Sequence, residues 1–404
     1  MSNKKKDLLI MCQYFYPEQI TSARLPFMTA KYLAKEGLTV EVLTGTPSNY
    51  LEHADKQAPK TEVIEGVRIR CLSYLTLSKK NIISRLVNYF SIVIAFLLKL
   101  KVMKNYKVIM VYSNPPILPI VAVLAKKFFN TKLVFVSYDV YPEIAIKTKV
   151  LSERSLLTVA MKLVNKCVFR SADKVVALSG EMKKFLVENR NIDSDKIEII
   201  PNWSTETKPI LKPTKESSDG IFRIGYFGNI GIAQDFDTIK NAILSQKNNS
   251  SLEWIFAGHG TFYDSFKQFI IENKITNVRL YGYLDEQKLN KVANSCDSFL
   301  LSLKKELNGL AVPSKYYTYL NYGKPIIAII SKESDINKEI VKYKTGRGIG
   351  ESNTEELCLA IEKVGKYRSQ FKDYSQVYKN NFSPNIQLKK YVALIKKVLN
   401  KESI

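Results

Sequence analysis

The sequence predicts an α/β fold of two doubly wound domains, each a parallel sheet with helices on both faces. Three observations point to it. Strand-like apolar runs alternate with helix-length segments along almost the whole chain, as in parallel sheets covered on both sides. The 404 residues exceed what one compact core absorbs, and two domains of roughly 150–200 residues are the natural division. The alternation breaks between Pro201 and Gly220 into Pro, Thr, Ser, Lys and Glu, which is linker chemistry.

Before the break, Leu8–Cys12, Val40–Thr44, Val108–Tyr112, Leu133–Val136 and Lys174–Leu178 read as buried strands. After it, Ile221–Tyr226, Trp254–Ala257, Val278–Tyr281, Ser298–Leu301 and Ile326–Ile330 begin the series again. Such sheets bind ligands beyond the carboxyl ends of their strands, so a site is expected in a cleft between the two domains.

The formal charge of +23 calls for a polyanionic partner, with nucleic acid, anionic membrane and phosphorylated substrate as the three classes. Five scattered cysteines and two histidines offer no metal-ligand spacing and no disulfide framework. A reduced, cytoplasmic interior is the expectation, since the apolar run after Met1–Asp7 is too short for a signal peptide.

From Gly66 to Tyr138 there is no Asp or Glu, against twelve Lys or Arg residues, among them Lys79, Lys80, Arg85, Lys99, Lys101, Lys104 and Lys107. Within it, Leu86–Leu98 is apolar except for Asn88 and Ser91. Thirteen residues are too few to span a bilayer, which takes about 20. A helix that lies in an anionic membrane interface fits better than a plain buried helix, with Arg85, Leu86, Phe90, Phe96, Lys99, Lys101 and Lys104 as its contacts.

Five segments carry candidate chemistry. Gly309–Pro325 packs a loop, a helix start at Pro313 and Ser314, and a buried strand into a short span. The first-turn N–H groups within Pro313–Tyr316, Pro313 itself having none, and the cation of Lys315 suit a phosphate. Tyr14–Arg24 follows the first strand and holds no glycine, which argues against a dinucleotide fingerprint and leaves either a ligand loop or a plain connection. In Ser137–Glu143, Asp139 and Glu143 stand at a strand's carboxyl end as hydrogen-bond acceptors or bases, unless Asp139 caps a helix. Gly228 and Gly231, in Gly228–Asp235, allow close approach of a diphosphate. In Ala257–Gly260, His259 can meet a base or cap its loop.

In order along the chain, the segments Gln13–Glu18, Leu43–Tyr50, Ser113–Pro116, Asp139–Glu143, Ala172–Ala177, Ile200–Trp203, Gly228–Gly231 and Val312–Lys315 resemble the GT-B family 4 nucleotide-sugar glycosyltransferases. The likeness is nearest to the subgroup that builds bacterial capsule and O-antigen units, including N-acetyl-L-fucosamine transferases. It implies a GT-B fold, with an acceptor-binding, membrane-facing domain over 1–205, a donor domain over 206–380, and a helix in 381–404 packing back on the first domain. It also implies sugar transfer from a UDP-sugar to an undecaprenyl-diphosphate-linked saccharide on the cytoplasmic membrane face. Configuration would be retained, and no cofactor or metal would be bound.

Residue by residue, the donor would meet Gly228, Asn229, Gly231, His259, Gly260, Tyr283, Glu306, Pro313, Ser314, Lys315 and Thr318. The acceptor would face Tyr16, Pro17, Glu18, Ser22, Arg24, Asp139 and Glu143, with Asp139, Glu143 and Lys315 catalytic. Three positions depart from the family pattern. Leu310 and Thr318 stand where many members carry glutamates, with Glu306 a substitute for the first, and Ile232 stands where close members carry Arg, leaving Lys315, Arg24 or Lys304 to neutralise a diphosphate. Two other readings are an inactive subunit that binds a partner enzyme, and a nucleic-acid-binding protein. The second is disfavoured by basic residues gathered around an apolar helix instead of stacking groups.

Overall fold

The structure is a computed structural model and describes residues 5–47, 59–77, 82–206, 219–367 and 373–400. Ser48–Tyr50, His53, Lys79, Lys80 and the linker residues 207–218 lie outside these. The chain forms two compact units. One comprises Met1–Pro201, Gly309–Val312 and Pro384–Ile404; the other comprises Asn202–Asn308 and Pro313–Ser383.

The first unit is built on eight strands: β1 (Lys6–Cys12), β2 (Val40–Gly45), β3 (Thr61–Ile64), β4 (Val67–Leu72), β5 (Tyr106–Tyr112), β6 (Lys132–Val136), β7 (Lys174–Ala177) and β8 (Ile197–Ile199). Their order is β3-β4-β2-β1-β5-β6-β7-β8. Every pair is parallel except β3–β4, a hairpin turned by Glu65 (φ 51°) and Gly66 (φ 80°). This hairpin was not foreseen. Thr61–Ile64 alternates exposed and half-buried residues at the sheet edge and so lacks an apolar run. Strand order reverses direction between β1 and β5, which makes their carboxyl ends the natural ligand position.

The second unit is wholly parallel: β9 (Phe222–Phe227), β10 (Leu252–Ala257), β11 (Val278–Tyr281), β12 (Ser298–Ser302), β13 (Ile326–Ile329) and β14 (Gly346–Ile349), in the order β11-β10-β9-β12-β13-β14. Its switch point lies between β9 and β12. Trp254, Phe256, Phe236 and Phe266 fill one face of this sheet, and all are nearly inaccessible. Burying aromatics of this size dominates core energetics.

The unit boundaries differ from the sequence-based ones for identifiable reasons. Ser204 N–H donates to the Tyr378 hydroxyl at 3.1 Å, which ties the residues after Pro201 to the second unit. Gly309–Val312 belongs to the first unit because Val140 N–H donates to the Leu310 carbonyl at 2.8 Å and Ala311 bridges to Asp139. The returning helix, Pro384–Asn400, packs on the helix Thr21–Lys35 and buries Leu388, Tyr391, Leu394 and Ile395.

The apolar helix expected at Leu86–Leu98 is present as Ile82–Leu97. Phe96, expected to touch lipid, is instead fully buried with Ile92 and Val93, because the first unit claims one face of the helix for its core. Among the described side chains the solvent-facing apolar residues are Phe90, Ile94 and Leu98, at four-residue spacing and 51%, 55% and 79% exposed. Lys99, Lys101 and Lys104 are exposed beyond it. Among the described residues no helix is long and apolar enough to cross a membrane.

Candidate active site

In the second unit, the site grows from the end of β9. The helix Lys315–Asn321 buries Tyr316, Tyr317, Tyr319 and Leu320. Tyr319 stacks on Phe299 (centroids 4.5 Å apart, planes 10°), and its hydroxyl accepts the Phe227 N–H at 2.9 Å. That hydrogen bond fixes the helix against the last residue of β9, and so sets Lys315 over Gly228. A Cβ on Gly228 would run into Lys315 Cε, and its φ of 124° is open only to glycine. The run Lys-Tyr-Tyr-Thr-Tyr is thereby explained: its tyrosines are anchors and its lysine is what they aim.

The Lys315 ammonium donates to the Tyr226 hydroxyl at 3.0 Å and lies 4.2 Å from the centre of that ring. Tyr226 in turn donates to the Asn229 carbonyl at 2.6 Å. Among the described residues no carboxylate stands within ion-pair distance of Lys315. Burial of this cation lowers its pKa from the ordinary 10.5 to about 7, since an enclosed charge without a counter-charge prefers to be neutral. An anion arriving here would restore the charge.

Two glycine loops enclose the same place. Gly228 N–H donates to the Ala257 carbonyl (2.7 Å) and Ile230 N–H to the His259 carbonyl (2.9 Å). Gly258 packs so closely on the Gly228 carbonyl that no side chain fits. His259 Nε2 accepts the Tyr283 N–H at 3.0 Å, so His259 shapes the turn that presents Tyr283, 73% exposed. Gly231 N–H, expected to reach a phosphate, donates to Gln234 Oε1 at 3.1 Å.

The helix-start expectation needs correction. Ser314 makes no side-chain cap, the helix has seven residues, and Tyr316 N–H is held by the Pro313 carbonyl at 3.2 Å. The cationic group that the structure places at this loop is the Lys315 side chain, over Gly228. Thr318 is half-buried. Glu306 is exposed on the turn Lys305–Leu307. It raises the pKa of Glu351, whose carboxyl is pushed up first by burial and then by Glu306. Lys304 N–H donates to the Ala233 carbonyl at 3.0 Å, which places Lys304 beside the Gly228 loop.

In the first unit, the loops after β1, β5 and β6 contain three cis prolyl bonds: Tyr16–Pro17, Asn114–Pro115 and Tyr141–Pro142. Ser113 Oγ accepts the N–H groups of Tyr138 (3.0 Å) and Asp139 (3.3 Å), joining the last two loops. Asp139 caps no helix, since the nearest begins at Glu143 after Pro142. Among the described residues its carboxylate has no partner, and burial pushes its pKa up to about 6. Glu143, expected to serve beside it, is ion-paired with Arg190, whose guanidinium also donates to the Tyr141 carbonyl at 3.3 Å. Glu143 therefore anchors the loop, and Asp139 is left without an ion pair.

Around the loop after β1, the Tyr16 ring packs on Phe27 at 4.9 Å and Glu18 N–H donates to the Phe15 carbonyl at 3.0 Å. Pro17, Ser22 and Arg24 are half-buried, the last two in the first turn of Thr21–Lys35. Sequence reasoning missed Tyr226, Tyr319 and Arg190. Tyr319 had a signal, in the three-residue spacing of tyrosines along one helix face; the other two had none.

Comparison with known proteins bears on the family and the fold. Residues 23–203 match the family model Glycosyltransferase Family 4. The probable glycosyltransferase WbjE of Pseudomonas aeruginosa is 26% identical over 362 residues, 85% of this chain and 88% of that protein. Sucrose-phosphate synthase of Thermosynechococcus elongatus superposes with a TM-score of 0.77 at 14% identity, over 98% of this chain and all of that one. Anabaena HepE, solved with UDP-glucose, gives 0.68 at 13% identity over 98% of this chain and all of its own. The match places residues 23–203 in Glycosyltransferase Family 4, and the two Rossmann-like parallel-sheet units share the GT-B fold of the solved neighbours.

Proposed function

We propose that this chain is a family 4 glycosyltransferase that takes its sugar from a UDP-sugar and adds it to a lipid-linked saccharide at the cytoplasmic face of a membrane, in polysaccharide biosynthesis, with retention of configuration and no bound metal. The observation that carries the donor half is the enclosed Lys315 ammonium, with no carboxylate partner among the described residues, beside two glycine-lined loops. A diphosphate supplies the missing charge. As the sugar leaves, negative charge grows on the diphosphate, and an already oriented cation in a site of low polarity stabilises it. The link Lys315–Tyr226–Asn229 holds that cation and the loop in one shape. Tyr283, on the turn braced by His259, is the candidate contact for the base. HepE, similar in fold, was solved with UDP-glucose, which favours uridine.

In the first unit, Asp139 receives the hydrogen bond of the acceptor hydroxyl. The exposed Phe90, Ile94 and Leu98 and the lysines after them rest on an anionic membrane surface. A thermal-shift screen against UDP-, GDP- and dTDP-sugars, followed by transfer of labelled sugar to a bacterial lipid extract, tests the reading. At 100 times its Kd a donor adds about 2.7 kcal/mol of stability, or roughly 5–11 °C. Stabilisation by no nucleotide sugar would refute it.

A further inference from the structure

The first unit holds an apolar cavity of about 70 Å³ that no part of the mechanism uses. Its walls include Phe90 of the helix Ile82–Leu97, Pro116 after β5, and Tyr141, Ala145, Val150 and Leu157 after β6. The space exceeds several times the roughly 10–15 Å³ that one water needs, yet a water there would find few polar partners, and such cavities take hydrocarbon. It also lies beside the acceptor loops, because Tyr141 and Pro116 line it and Asp139 is two residues from Tyr141.

Its surroundings are apolar outside and basic at the rim. Phe90 is 51% exposed, and the helix Leu156–Ser171 shows Leu156, Val159 and Leu163 to solvent along one side. Between the wall residues Ala145 and Val150 stand two exposed cations, Lys147 and Lys149. A hydrocarbon chain joined to phosphate matches both features at once, since its chain would enter the cavity while its phosphates meet the lysines. A neutral apolar partner would leave Lys147 and Lys149 without a role.

We propose that this cavity binds the hydrocarbon chain of the lipid that carries the acceptor saccharide, next to its phosphate. This rests on the lipid-linked acceptor proposed above. The test uses the full chain with anionic phosphatidylglycerol vesicles doped with diazirine-bearing farnesyl diphosphate, photolysed and mapped by peptide mass spectrometry. Label is expected on the peptides holding Leu86–Phe90 and Ala145–Met161. Ala145→Phe and Leu157→Trp, which fill the cavity from two of its walls, are each expected to lower that label about tenfold, the loss of burial of about two methylenes, with vesicle co-sedimentation unchanged.

Wild-type label elsewhere overturns the assignment whatever the variants do. Equal label from a diazirine-bearing phosphatidylglycerol acyl chain overturns it too, since the occupant would then be bulk bilayer. The readout needs neither donor nor turnover. Label in the cavity with no sugar transfer to lipid would sink the proposed function alone, and transfer without label would sink the cavity alone.

Discussion

Replacing Lys315 with Met keeps the volume of the side chain and removes its charge. In the empty protein the lysine is a burden: its pKa of about 7 against an ordinary 10.5 means that at neutral pH the fold holds a cation it would prefer to release. Allowing for the partial solvent contact of the residue, the cost is on the order of 2–4 kcal/mol. Lys315→Met is therefore expected to raise the melting temperature of the donor-free protein, at roughly 2–4 °C per kcal/mol. The sign has a pH signature. Between about 7 and 10.5 the unfolded lysine binds more protons than the folded one, so the wild type gains stability as pH rises, and the advantage of the variant shrinks through that window.

Donor binding moves the opposite way. Loss of a charge-assisted hydrogen bond costs about 1.5–3 kcal/mol, so UDP should bind roughly 10–150-fold more weakly, and turnover should fall by about 10²–10³ if the ammonium meets the leaving diphosphate in the transition state. Differential scanning fluorimetry from pH 6 to 10, with and without UDP, reads both effects. A variant that is less stable when empty, or that keeps the full UDP shift, would refute the reasoning.

Asp139→Asn should abolish transfer while the wild-type kcat/KM climbs through about pH 6, the pKa that burial gives this carboxyl; a flat profile from pH 5 to 7 would remove Asp139 from the acceptor site. Tyr319→Phe leaves the buried Phe227 N–H without its 2.9 Å acceptor and should cost about 1–3 kcal/mol in denaturant unfolding, with weaker UDP binding because Lys315 loses its anchor. Changing Lys99, Lys101 and Lys104 together to Glu should weaken binding to anionic vesicles by about 10²-fold or more at low salt, at about 1 kcal/mol per cation near the surface. Unchanged co-sedimentation would show that another surface docks.

The strands of both sheets were legible wherever burial on two faces wrote an unbroken apolar run, as at Val108–Tyr112 and Ile326–Ile329. The hairpin β3–β4 was not, because an edge strand needs apolar residues on one side only. In the site, Lys315 and the glycines stood out by residue type and by their place after strands. Their partners did not: Tyr226 precedes Lys315 by 89 residues, and Arg190 follows Glu143 by 47, separations that only the folded chain closes. Phe96 shows the limit of pattern within one helix, since an apolar helix does not announce which of its faces the core takes.

Isothermal titration of UDP at pH 8.5, run in two buffers of different ionisation heat, tests the central claim most directly. At that pH the last phosphate proton of UDP is already gone, and the free Lys315, with its pKa near 7, is mostly neutral. If the diphosphate sits on Lys315, binding must recharge it, and the buffer comparison should show uptake of close to one proton by the wild type and none by Lys315→Met. Binding of UDP by the wild type with no proton uptake would place the diphosphate elsewhere.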